Sequence, residues 1–106
     1  MSNDRYVLDA DGYERLADVL SAAFWQASEG KGAERHRIAG EAFEDQIILQ
    51  ITRRVGLGYP LGQAMKKCDE ATRMEPGAAI RELLGAINYI AAAVIAIEER
   101  DGNEGS

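Results

Sequence analysis

The residues with the greatest capacity for chemistry sit close together. Lys31-Gly32-Ala33-Glu34-Arg35-His36-Arg37 places four potential cations within seven residues, next to Gly30 and Gly32. A segment of this kind can surround an anion with side chains and backbone N–H groups at once. Further along, Gln46, Gln50 and Arg53 recur at i, i+4 and i+7, which on a helix is one edge of its polar face. Two planar amides and a guanidinium in a row suit base edges or phosphate oxygens.

Other chemistries fit the residues less well. Gly30-Lys31-Gly32 lacks the GxxxxGK[ST] pattern of a phosphate-binding P-loop, and no strand precedes it. His36 has Glu34 and Glu41 near it in sequence and Ser28 as the nearest hydroxyl, but no nucleophile–base–orienter triad emerges. Cys68 falls on the side of its helix expected to face inward, where a thiol behaves as a small buried hydrophobe. One cysteine and one histidine cannot build a conventional structural zinc site or an internal disulfide. Glu41-x-x-Glu44 and Glu98-x-x-Asp101 match the ExxE and ExxD pairs with which small all-α nucleotide pyrophosphohydrolases hold magnesium. The first pair lies at a loop–helix junction, the second at a helix terminus, and they are far apart in the chain. Magnesium-dependent hydrolysis is therefore the lesser alternative. No catalytic residue, metal ligand or cofactor is assigned.

Charge narrows the partners. Twelve Lys and Arg against eighteen Asp and Glu give a net charge of −6 in 106 residues. This acidity argues against a duplex-coating nucleic-acid binder and against a polybasic membrane-surface protein. The distribution is uneven. Residues 1–28 carry −3 and residues 74–106 carry −4, while residues 29–73 carry +1, from eight bases and seven acids.

These side chains need elements to hold them. With 46% hydrophobic residues, the chain is expected to form one helical domain over 1–106, with 1–8 and 101–106 flexible. Four amphipathic patterns predict an all-α fold, a compact bundle of four main helices with a long glycine-rich basic loop between helices 1 and 2. The first helix opens at Asp11 with Glu14 in a capping box, and turns Tyr13, Leu16, Ala17, Leu20, Ala23, Phe24 and Ala27 inward. The second presents Phe43, Ile47, Ile48, Ile51 and Val55, and is closed by Gly56 and Gly58. The third begins at Tyr59-Pro60 and turns Leu61, Ala64, Met65, Cys68 and Thr72 inward, leaving Gln63, Lys66, Glu70 and Arg73 as a solvated face. The fourth runs from Pro76 to about Arg100 on a stripe of Ile80, Leu83, Leu84, Ile87, Ala91 and Val94, with Ile90, Ile95 and Ile97 on other faces.

A helix apolar nearly all round must be covered nearly all round. The fourth helix is thus expected either at the centre of the bundle or against a copy of itself, and a homo-oligomer through this helix is predicted. Gly85, Ala92 and Ala96 are small enough for close helix approach, and Asn88 needs a hydrogen-bonding partner if buried. Its apolar core, Ala86–Ile97, is too short to span a bilayer, and Met1–Leu8 lacks the pattern of a signal peptide. No membrane association and a cytoplasmic location are expected.

The strings KGAERH, Phe43-x-x-Gln46, GLGYPLGQAMKKCDEATRM and ELLGAINY resemble a group of small phage- and prophage-encoded proteins with KGxERH and GQAxKK motifs. The resemblance runs from the first helix to about Glu98. It implies an accessory phage protein in the cytoplasm of an infected bacterial host, countering host defence by sequestering a nucleotide signal or by gripping a defence protein. Together with the residues above, it predicts a non-enzymatic binder of a phosphate-bearing small molecule. Lys31, Arg35, His36, Arg37 and Arg53 would hold its anionic groups, and Gln46, Gln50 and Tyr59 would read or stack on a base. The alternative is a protein–protein inhibitor or adaptor, using Val19 and Trp25 on the first helix as an exposed contact.

Overall fold

The computed structural model describes residues 7–29 and 41–104. The predicted basic loop residues Lys31, Arg35, His36 and Arg37 lie outside the described residues. Within them the protein is an all-α bundle of four helices: α1 (Glu14–Ser28), α2 (Ile47–Val55), α3 (Gly58–Ala71) and α4 (Pro76–Glu104), with a 3-10 turn at Phe43–Asp45 ahead of α2.

Local chemistry sets the boundaries. Gly12 takes a left-handed φ of 88°, so Asp11-Gly12 forms a turn and the chain enters α1 through Tyr13, not Asp11. Glu14 still closes the entry, since its carboxylate accepts the Gly12 N–H at 3.2 Å and lies at the positive end of the helix dipole. At the other end of α2, Gly56 adopts φ 94° while its N–H bonds the Thr52 carbonyl at 2.8 Å. That is a left-handed helix stop that a Cβ would strain. Phe43 belongs to the 3-10 turn rather than to the helix, and α4 continues past Arg100 to Glu104.

The core is small and centred on α4, which packs most extensively on α3, then on α1 and α2. It gathers Ile48 and Leu49 from α2, Ala64 from α3, and Ala86, Tyr89 and Ala92 from α4, with Phe43, Tyr59, Ile95 and Ala96 around them. Helix α2 therefore turns Ile48, Leu49 and Thr52 inward and leaves Ile47 and Val55 largely exposed, correcting the expected stripe.

On α3 the expected face is also wrong. Pro60, Ala64 and Ala71 are buried, whereas Leu61, Met65 and Cys68 are exposed. The reason lies across the interface at Gly85 of α4. A Cβ there would meet Lys67 Cδ and Cε at 3.3 Å, so the missing side chain leaves a groove for the Lys67 stem. A lysine stem is apolar enough to pack in that seam. Seating Lys67 turns Cys68 outward.

The largest inversion is on α4 itself. Its buried residues are Ala86, Tyr89, Ala92 and Ala93, while Ile80, Leu83, Ile90, Val94 and Ile97 are exposed. Small residues let α3 and α2 approach closely, as interdigitated helices require. By length and composition, α4 over Pro76–Gly102 is long and apolar enough to cross a membrane, its most apolar 18-residue stretch having a mean hydropathy of 1.7. Asn88 finds its partner in α1, donating from Nδ2 to the Ala23 carbonyl at 2.9 Å.

Candidate functional site, a cationic cleft between α1, α3 and α4

Helix α1 runs antiparallel along α4, held by the Asn88–Ala23 bond and by Gln26, whose Nε2 donates to the Arg81 carbonyl at 3.1 Å. Helix α3 also packs on α4. Between α1 and α3 opens a cleft of about 470 Å³, in the range of pockets that hold small molecules. Its wall carries Lys66 and Lys67 from α3 and Arg81 from α4, with Glu82 the one carboxylate among the lining residues. Gln46 and Gln63 add side-chain amides, and Phe43 and Tyr89 add rings.

Lys67 is the most constrained of the three cations. Its Nζ stands 5.8 Å from the centre of the Tyr89 ring and 3.4 Å from Glu82 Oε1, with its side chain about one-fifth exposed. The ring and the Glu82 carboxylate attract its charged end, while the Gly85 groove fixes its stem. Tyr89 is itself set edge-on to Tyr59, their ring centres 6.1 Å apart and their planes at 80°. Lys66 and Arg81 are exposed at the cleft wall. The cleft thus has an aromatic floor, one anchored ammonium, and two solvated cations able to move onto an anion.

The described residues predicted from sequence are divided among different places. Gln46 is buried at the entry to α2 and lines the cleft. Tyr59 supports the floor through Tyr89. Gln50 lies elsewhere, donating from Nε2 to the Asp45 carbonyl at 2.8 Å and closing the 3-10 turn. Arg53 is engaged in another way: its Nε and Nη2 donate to the two Glu99 oxygens at 3.0 and 2.8 Å, and Nη2 also donates to the Glu44 carbonyl. Gln46, Gln50 and Arg53 therefore do not form one recognition edge: Gln46 sits at the N-cap of α2 and lines the cleft, Gln50 bonds the Asp45 carbonyl, and Arg53 is held by Glu99.

This Arg53 clamp ties α2 to the end of α4. The paired hydrogen bonds hold the Glu99 carboxyl below its ordinary value and raise Arg53 above its own. A second cavity of about 680 Å³ lies beside it, lined in part by Leu57, Ala96 and Arg100. Its central guanidinium is already spent on Glu99, so the α1–α3–α4 cleft is the better anion site. The clamp also bears on the carboxylate pairs. Arg53 stands against Glu99 and the Glu44 backbone, and among the described residues no three acidic, histidine or cysteine side chains converge to hold a metal.

Lys67 and Arg81 were missed as site residues, and Lys66 was read as part of a solvated face. Their signal was legible in part. Lys67 lies at i+3 from Ala64 and i−4 from Ala71, on the inward side once those alanines are taken as the contact. On the solvated face, Arg73 pairs with Asp69 at 3.0 Å. No protein-family model, curated protein or solved structure matches this chain.

Proposed function

We propose that this protein is a non-enzymatic binder that holds a phosphate-bearing small molecule of nucleotide size in the cleft between α1, α3 and α4. The observation that carries the reading is that Lys66, Lys67 and Arg81 line one cavity of about 470 Å³, with Lys67 set over the Tyr89 ring. Arg81 and Lys66 would take phosphate oxygens as charge-assisted hydrogen bonds, with Lys67 supplying a fixed positive charge beneath them. The amides of Gln46 and Gln63 offer paired donors and acceptors to a base edge. An acidic body around a cationic cleft disfavours long polyanions and admits one compact anion. The likeness to phage accessory proteins makes a nucleotide immune signal of the host the proposed cargo, and sequestration the proposed role.

Thermal stabilisation by a panel of cyclic and linear nucleotides tests this reading. At ligand concentrations ~100-fold above Kd, binding adds about 2.7 kcal/mol of stability. The double variant Lys66→Ala/Arg81→Ala is expected to lose that shift, with affinity falling at least about tenfold, or ~1.4 kcal/mol. No shift with any nucleotide at millimolar concentration overturns the proposal. The same panel on Lys31→Ala/Arg35→Ala measures what the basic stretch contributes.

One observation favours a second reading, a protein inhibitor or adaptor. Phe24 and Trp25 are adjacent on α1 and remain 74% and 61% exposed. Large exposed rings are typical anchors for a protein partner. Loss of a stoichiometric host partner in Trp25→Ser, with nucleotide binding unchanged, would select this reading.

A further inference from the structure

We infer that a second copy of this chain docks along the outward face of α4, antiparallel and related by a two-fold axis. Ile80, Leu83, Ile87, Ile90, Val94 and Ile97 follow one another at intervals of three, four, three, four and three residues. That is the heptad spacing of a helix seam, sustained along a stripe roughly 26 Å long. Five of the six are 43–57% exposed, and Ile87 is half-buried.

The spacing identifies the occupant. The series three-four-three-four-three reads the same from either end, so a reversed copy of the stripe meets it position for position. Ile80 then faces the partner's Ile97, Leu83 the partner's Val94, and Ile87 the partner's Ile90. A two-fold interface requires such self-complementarity, because one patch must serve both sides. The flanks agree. Leu84 and Ala91 meet across one edge, and the other edge runs beside Ala86 and Ala93, which this chain's own helices bury, so no charge enters the middle of the seam.

Charge sets the direction. The reversed arrangement brings Arg100 of each copy to the end where the partner's Glu75 lies. A parallel pair would instead gather the acid-rich C-terminal ends of both copies, each with Glu98, Glu99, Asp101 and Glu104 around Arg100, and would align the two helix dipoles. Lipid is a poorer occupant for so narrow a stripe. Exposed Arg15, Asp18 and Lys66 stand on the neighbouring helices α1 and α3, and a bilayer deep enough to cover α4 would have to take them too.

A single helix seam buries less than a standard protein interface, so dissociation constants of about 1–10 µM are expected. Sedimentation velocity on the full chain from about 1 to about 200 µM should show monomer passing to dimer. Ile90→Glu should weaken the dimer at least tenfold while its far-ultraviolet circular dichroism stays helical. For direction, Leu83→Cys/Val94→Cys in a Cys68→Ala background should form interchain disulfides that join Cys at 83 to Cys at 94, identified by peptide mass spectrometry. Within one chain these positions are three turns apart and cannot join. Monomer at every concentration, a 83–83 linkage, or insertion of the chain into phosphatidylcholine vesicles would each overturn the inference. Should Ile90→Glu unfold, the wild-type sedimentation and the cross-link connectivity still decide it.

Discussion

On α4, Ala86, Tyr89, Ala92 and Ala93 face the other helices, whereas Ile80, Leu83, Ile90, Val94 and Ile97 face outward. By area alone the arrangement is backwards, since a branched side chain removes far more apolar surface from water than an alanine. Two requirements are being met on two sides of one helix. Inward, three helices must close on a single rod, and only small side chains permit backbones to come that near, with Tyr89 filling the one larger space. Outward, these side chains stay about half exposed among the described residues, so size is less restricted and the heptad spacing of Ile, Leu and Val persists. The lesson is that the apolar moment of a helix marks its most apolar side, and close packing can be assigned to another.

Substitutions on the two sides should therefore behave in opposite ways. The largest effect is expected from Ala92→Leu, which forces a branched side chain into a fully buried contact. Overpacking of this kind costs about 1–3 kcal/mol, read as a lower urea midpoint. A midpoint unchanged from wild type would mean that the alanine side is not tightly packed. Leu83→Ser, on the outward side, should change stability by no more than about 0.5 kcal/mol in dilute solution. Its cost should grow with protein concentration where a second copy covers the stripe. A large cost at high dilution would place Leu83 inside the monomer core instead.

The smallest effect concerns the clamp at the end of α4. Because Arg53 lowers the Glu99 carboxyl, the pair stabilises the fold above the carboxylate's ordinary value of about 4.5, and that contribution is lost as pH falls through the lowered folded value. The pair is over a third exposed, so its worth is ~0–1 kcal/mol after solvent screening. Glu99→Gln should lower the melting temperature slightly near neutrality and match wild type well below pH 4.5. A difference that persists unchanged into acid would show that the clamp acts through packing, not charge.

Much of the fold was legible in the residues. Glycines and prolines at 56, 58, 60 and 76 mark the ends of α2, α3 and α4 because few other residues suit those backbone positions. The close approach expected at Gly85 and Ala92 is present, as is the partner for Asn88. The candidate site was less legible. Arg53 is a cation whether or not Glu99 stands beside it, and nothing in i, i+4, i+7 spacing reveals a carboxylate 46 residues away. Lys67 was hidden for a related reason, since its buried stem depends on an absent side chain at Gly85 on another helix.

Composition and periodicity by themselves determined the all-α class, the number of helices among the described residues and roughly where each ends, because these follow from backbone preferences acting within a few residues. Which side of each helix faces inward, which cation is paired and which line a cleft were decided only by the tertiary structure. Those outcomes depend on how close two backbones can come, and that distance is set jointly by residues from separate helices.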